Sequence, residues 1–167
     1  MKKAFLTLAI ASLTLNAAIF GFFYAWICST MWGLDNADPN TAIAAMQAMN
    51  SSVRNAIFAP AFFATPFLSA LVALWAYRVN YKNVTILFST AAIVYFFGGL
   101  VLTMVINVPM NEALALIKLP LDPDLATQVW KDYSAPWQLW NITRTIISAI
   151  AFIAASMGIY QLGKSSH

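Results

Sequence analysis

Apolar residues run along this chain in four long blocks, and its polar residues gather between them. A helix needs about 20 apolar residues to cross the hydrocarbon core of a bilayer. The blocks at about 4–31, 56–77, 84–108 and about 137–162 meet that length, and none has an ionisable side chain at its centre. The pattern predicts an all-α fold: a polytopic membrane protein, a four-transmembrane-helix up-down bundle with short helices on its outer face. No polar linker divides the sequence, so residues 1–167 read as a single four-helix transmembrane domain.

The connections are unequal. Residues 78–83 allow only a tight turn, whereas the other two connections each exceed 20 residues, the kind of segment in which function concentrates. In the first, Asp38-Pro39-Asn40 is a helix-start signal, with proline at the first helical position, and predicts a short helix reaching Asn50. The second passes Asn107-Val108-Pro109 and then Leu121-Asp122-Pro123-Asp124, a turn followed by an amphipathic stretch through Tyr133. Both pieces are expected to lie on the membrane surface as a cap.

Lysine and arginine collect in cytoplasmic loops. Lys2, Lys3, Arg78, Lys82 and Lys164 fall on one side with no acid among them, while Arg54, Lys118, Lys131 and Arg144 share the other with all six acids, Asp35, Asp38, Glu112, Asp122, Asp124 and Asp132. Both termini are therefore expected in the cytoplasm, in the cell (inner) membrane. Aromatic belts agree: Trp26, Trp32, Trp130, Trp137 and Trp140 map to the outer ends, Trp75, Tyr77, Tyr81 and Tyr160 to the inner. The start, Met1-Lys2-Lys3 and then apolar residues, resembles a signal peptide. Its apolar run is nearly twice the usual length and lacks a small-residue cleavage site, so it reads as an anchor.

Composition narrows the chemistry. At 61% hydrophobic and 9% charged, the chain has lipid as its main solvent, and membrane lipid is the first expected partner. The net charge of +3 comes from scattered single residues, which form no stripe that could track phosphates, so nucleic acid is set aside. One cysteine, Cys28, allows no internal disulfide. The one histidine, His167, is the last residue and is open to being the start of a purification tag. Without imidazole in the bundle, arguments for haem, di-iron or catalytic zinc lose their usual ligands. Met31, Met46, Met49, Met104 and Met110 map to the outer half, where thioethers suit Cu(I), but irregular packing accounts for them equally well. No metal site is assigned.

Polar side chains at helical spacing supply the candidate site. Gln47, Asn50 and Arg54 share a face if their helix persists. Arg54 then either reaches into the outer mouth to bind an anionic or carbonyl group, or snorkels to lipid phosphate. Thr103, Asn107 and Asn111 align along the third span if Pro109 kinks rather than ends it. Asn107 either satisfies backbone groups freed by Pro109 or hydrogen-bonds a ligand, and Glu112 would stand near the start of a new short helix. Trp137, Asn141 and Arg144 share a face at the top of the fourth span, with Trp140 beside them. A cation as deep as Arg144 must face the bundle or an aqueous pocket, and Glu112 and Asp132 are its expected partners. A structural ion pair and a reactive site both fit that placement. Asn16, midway along the first span, is expected to bond to a neighbouring helix.

Asp38-Pro39, Met46-Gln47-Ala48-Met49-Asn50, Asn107-Val108-Pro109-Met110-Asn111-Glu112-Ala113-Leu114 and Trp137-Gln138-Leu139-Trp140-Asn141-Ile142-Thr143-Arg144 occur in this order. The set resembles the anthrone-oxygenase-like membrane protein family, over nearly the whole chain from Gly21 to the fourth helix. A few fungal members of that family oxidise anthrones to anthraquinones; most bacterial members have no settled activity. The resemblance implies no required metal or organic cofactor and a hydrophobic aromatic or quinol-like small molecule as substrate. An anthrone enolate needs a proton acceptor and oxyanion donors, for which Glu112 or Asp132 and Arg144, Asn107 and Asn141 are candidates. Asn111, Trp137, Trp140, Gln47, Asn50 and Arg54 are candidates for substrate binding. The competing reading is a non-catalytic lipid-binding module or accessory subunit whose polar cluster staples the cap to the bundle. A transporter is disfavoured because no ionisable residue lies at mid-membrane. Oligomeric state is open.

Overall fold

The structure, a computed structural model, describes residues 2–164, and His167 lies outside them. Among the described residues four helical rods are long and apolar enough to cross a membrane: Lys3–Asp35, Phe58–Arg78, Lys82–Ala115 and Pro123–Lys164. Each packs side by side with its neighbour in sequence, and the fourth returns to the first, closing a ring of antiparallel rods. This is the expected all-α membrane bundle.

The first rod is α1 (Lys2–Ala25), a π-helical turn (Trp26–Thr30) and α2 (Met31–Asp35). Helix α3 (Pro39–Ser52) begins where the sequence signals it: the Asp38 carboxylate accepts from the Thr41 N–H at 3.0 Å, with Pro39 at the first helical position. Asn55 starts α4 (Phe58–Arg78), its side-chain oxygen accepting from the Ile57 and Phe58 N–H groups at 2.8 and 2.9 Å. The turn to α5 (Lys82–Tyr95) uses Asn80 at φ 60°, a left-handed position that asparagine tolerates. There the Tyr81 N–H donates to Ala76 O and the Asn80 N–H to Tyr77 O, closing α4 with a Schellman motif.

Two expected boundaries are corrected. The third span does not stop at 108. Two π-helical segments, Phe96–Val101 and Thr103–Asn107, follow α5 and lead into α6 (Val108–Ala115). Pro109 falls in the first turn of α6, directly after the π-helical segment, where its fixed φ suits a helix, and the rod continues. Nor is the amphipathic stretch before residue 133 a surface piece separate from the fourth span: both belong to α7 (Pro123–Lys164), 42 residues with Pro136 inside. At 1.5 Å per residue α7 is about 63 Å long, roughly twice the hydrocarbon thickness, so its first half stands beyond the bilayer as a stalk.

Two apolar cores result. The larger lies between the spans and includes Phe5, Ile19, Phe23, Phe62, Phe88 and Tyr95. The smaller joins the cap, where Met31, Ile43, Met46 and Leu114 pack on Trp130, Tyr133 and Trp137 of α7. Small residues let the spans approach: a Cβ on Gly158 would come within 2.6 Å of the Phe88 ring. As expected, Asn16 bonds across helices, its Nδ2 donating to Ser69 Oγ at 3.1 Å, and the Ser12 and Ser69 hydroxyls are 2.9 Å apart.

Pro66, inside α4, has no N–H to offer the Phe62 carbonyl. The Tyr95 hydroxyl of α5 donates to that carbonyl at 3.1 Å instead. Tyr95→Phe is expected to cost about 1 kcal/mol, read as a lower unfolding midpoint in detergent. In a Pro66→Ala background, which restores the backbone donor, the same change is expected to cost much less; equal costs in both backgrounds would refute the pairing.

Candidate functional site

Along their Lys- and Arg-bearing halves α4 and α5 pack closely, but toward the cap the second and third rods diverge. A cavity of about 610 Å³ fills the space, within the range of about 300–1,000 Å³ usual for small-molecule sites. Phe22, Phe23 and Trp26 of the first rod, Phe58, Phe62 and Phe63 of α4, Met104 and Val108 of the third rod and Trp137 of α7 form apolar walls. Asn50, Arg54, Asn55, Asn111 and Glu112 supply polar groups, as do Thr103 and Arg144. Trp26, Thr103 and Met104 all come from π-helical turns, a widening of the helix often found at functional sites. Hydropathy carries no signal for such a turn.

Arg144 is the chemically distinctive group. It is only 4% exposed, yet lies twenty residues, about 30 Å of helix, from Lys164, and so at the far edge of the hydrocarbon. The expected carboxylate partners are not there. Its Nη1 donates to Thr103 Oγ1 at 3.2 Å and its Nη2 to Asn141 Oδ1 at 3.0 Å. The guanidinium carbon lies 4.6 Å from the centre of the Phe23 ring and 5.4 Å from that of Trp137. Each oxygen is itself held: Asn141 Nδ2 donates to Phe23 O at 3.1 Å, and Thr103 Oγ1 donates to Gly99 O at 2.6 Å. Nε has no hydrogen-bond partner among the described residues. The cation is solvated by neutral dipoles and ring faces, which leaves its charge uncompensated.

The two acids sit elsewhere. Glu112 lines the mouth, where its carboxylate accepts from Arg54 Nη2 at 3.3 Å, both side chains more than half exposed. Arg54 lies at the outer mouth, as one expectation for it had it, and the anionic group it bonds there is the Glu112 carboxylate. Asp132 is exposed, accepts from Gln128 at 2.8 Å, and does not line the cavity.

The amides divide in the same way. Asn111 Oδ1 accepts from the Tyr133 hydroxyl at 2.8 Å and from Trp137 Nε1 at 3.0 Å, and Asn50 Nδ2 donates to that hydroxyl at 3.2 Å. Gln47, by contrast, donates to Leu114 O and Ile117 O at 2.8 and 2.9 Å, capping the end of α6 away from the cavity. Asn107 is buried behind the wall with neither amide atom bonded, so it neither repairs backbone near Pro109 nor faces the cavity. Trp140 is half-buried and outside the lining. Met31 and Met46 are buried in the cap core with Met49 and Met110 packed against it, and Met104 is on the cavity wall, so apolar packing accounts for these thioethers. No group of three His, Cys, Asp or Glu side chains that could hold a metal occurs among the described residues.

Sequence reasoning missed two cap anchors. Asp35 accepts from Trp130 Nε1, Ser134 Oγ and Gln138 Nε2 at 3.0, 2.7 and 2.8 Å, pinning the first rod to α7. Asn40 pairs reciprocally with Leu121, donating to its carbonyl and accepting from its N–H at 3.0 and 2.8 Å. Both contacts span more than 80 residues of sequence, and no local pattern marks them.

A helical multi-pass membrane protein with an apolar cavity and one buried, unneutralised guanidinium at the cap end is the class these features define. The anthrone oxygenase family model matches residues 49–154, and the chain belongs to that family. The match takes in α4, α5, α6 and Arg144 but not the first rod, a shorter reach than the resemblance from Gly21 onward. No curated protein and no solved structure matches the chain.

The geometry separates a staple from a site by stability. Arg144→Met is expected to change stability by less than about 1 kcal/mol, because the cost of desolvating the cation and the contacts that offset it are lost together. Asn111→Leu strips the acceptor from two part-buried donors and is expected to cost about 2 kcal/mol. Thermal unfolding of both variants in one detergent checks the order; the reverse order would make Arg144 the staple.

Proposed function

We propose that this protein is an oxygenase without a required cofactor, acting on a hydrophobic, enolisable aromatic ketone or quinol-like compound bound in the cavity. The observation that carries this reading is the Arg144 guanidinium, buried beside an apolar space with no carboxylate to neutralise it. Such a group favours an enolate oxygen far more than the neutral ketone, and so stabilises the charge that forms on deprotonation. Asn141 and Thr103 hold the guanidinium in place. Glu112 is the carboxylate of the lining and the candidate proton acceptor, held at the mouth by Arg54.

For an anthrone the balance is simple. Glu112 takes a proton from the ring methylene, and the electron-rich enolate reacts with dioxygen at that carbon. The carbon loses its second hydrogen and keeps one oxygen atom as a carbonyl, and the other oxygen leaves as water. Dioxygen is the oxidant, and the substrate supplies all the electrons.

Oxygen uptake by the protein in liposomes with anthrone tests this directly. A rate above the protein-free background is expected, with kcat/KM lowered about 100- to 1,000-fold in Arg144→Met and substantially in Glu112→Gln. Identical rates in all three would sink the oxygenase. The apolar, aromatic walls would then favour the runner-up, a lipid-binding module.

The reading also places the cavity at the outer face of the cell membrane, with both termini in the cytoplasm. It is supported by the charge bias: Lys3, Arg78, Lys82 and Lys164 stand at one end and all six acids at the other. In a Cys28→Ser background, an impermeant maleimide is expected to label Ser51→Cys in intact cells and Asn83→Cys only after permeabilisation. The opposite pattern would invert the topology.

A further inference from the structure

We infer that the substrate reaches the cavity sideways from the bilayer, through a portal between α4 and the π-helical part of the third rod, so that the substrate class is restricted to flat aromatic compounds dissolved in the membrane. The chemical identity of the substrate rests on the oxygenase reading; the portal rests on geometry alone.

Three features frame it. At its foot, Phe67 of α4 and Phe96 of the third rod meet edge to face, ring centres 6.4 Å apart, and close the seam below. At its top, the Arg54–Glu112 ion pair joins the end of the α3–α4 connection to α6 at 3.3 Å. Between these, Phe63 and Met104 stand on either side, 46% and 45% exposed, and both also line the cavity. Both belong to apolar spans, so what they are exposed to is hydrocarbon. Cavity wall and lipid-facing surface are therefore continuous at this seam.

The other three seams are bridged near the cap among the described residues, that between the third rod and α7 by the Arg144–Thr103 and Trp137–Asn111 hydrogen bonds at 3.2 and 3.0 Å. Near the cap the first rod is packed against α7 through Trp26 and Trp137, with ring centres 5.0 Å apart, and against α4 through Phe22 and Phe58 at 4.6 Å. From water, the path leads past the charged and amide groups of the mouth, Asn50, Arg54, Asn55 and Glu112. A polycyclic aromatic partitions into hydrocarbon over water by orders of magnitude. It would meet the apolar opening far more often than the polar one.

Blocking the frame in a protein already folded tests the idea. Cys28 is the sole cysteine, so a Cys28→Ser/Phe67→Cys protein in liposomes accepts a bulky N-alkyl maleimide only at the foot of the portal, at a position outside the cavity lining. The same preparation is compared before and after labelling. Anthrone oxidation is expected to lose at least tenfold in kcat/KM with kcat within twofold, because access is hindered while the Arg144 wall is untouched. Stopped-flow quenching of tryptophan fluorescence by bilayer-dissolved anthraquinone is expected to slow in the same proportion. Unchanged rates in both measurements would overturn the portal and point to the aqueous mouth, and absence of saturable quenching before labelling would overturn it too. If no protein takes up oxygen, the oxygenase reading fails and the quenching rate alone decides the portal.

Discussion

A guanidinium at the edge of the hydrocarbon has to be solvated, and around Arg144 everything that solvates it is uncharged. Taking such an ion out of water costs several kcal/mol even after relaxation. Two charge-assisted hydrogen bonds return about 1.5–3 kcal/mol each, and two desolvated ring faces about 1–2 each, which together are of the same order. The groups come from three rods: Phe23 from the first, Thr103 from the third, Asn141 and Trp137 from the fourth. Those rods must meet at one level for the cation to be tolerated, so the site and the packing of the cap end are one constraint. A carboxylate partner would have met the same cost and cancelled the charge. Neutral solvation leaves the charge uncancelled by its neighbours.

The open cap half depends on the tight lower half. Where Gly158 admits the Phe88 ring and Ser12 meets Ser69, the spans lie close and leave no room for a ligand. Nearer the cap, aromatic rings replace small residues and two π-helical stretches flank Leu102, so the third rod turns away from α4. The proline in α4 contributes as well. By freeing the Phe62 carbonyl it gives Tyr95 a polar anchor at the floor of the cavity, and Tyr95 in turn leaves no space for a Cβ on Gly99, at the start of the divergent stretch.

Much of this was legible in the sequence because each feature has a local cause. Hydropathy located the spans, Asp38-Pro39 the start of α3, and helical spacing put Trp137, Asn141 and Arg144 on one face, where the structure has them beside one another. What escaped has causes spread along the chain. The amphipathic stretch through Tyr133 read as a surface piece apart from the fourth span, yet α7 runs through both, with Trp130 and Tyr133 buried against the cap core. The partners of Arg144 were misassigned because acids were the only counter-charges visible, whereas the groups that bind it are a threonine, an amide and two rings that only the tertiary fold assembles. Gln47 looked like a ligand group for the opposite reason: its spacing was right, but the carbonyls it caps, Leu114 O at the end of α6 and Ile117 O just beyond it, come from far along the chain.

Trp137 is the point at which cap and site become mechanically linked. Its indole N–H is held by Asn111 of α6 at 3.0 Å, its ring packs on Trp26 of the first rod at 5.0 Å, and the same ring faces Arg144. Asn111 is held by Tyr133, which is held by Asn50 of α3. The position of the ring against the guanidinium is thus set by a chain of hydrogen bonds through α3, α6 and the stalk of α7. Because π-face attraction weakens quickly as a cation leaves the ring, a shift of α6 relative to α7 changes the solvation of Arg144. The two long connections therefore do more than cover the bundle: they fix the electrostatic character of the cavity beneath them.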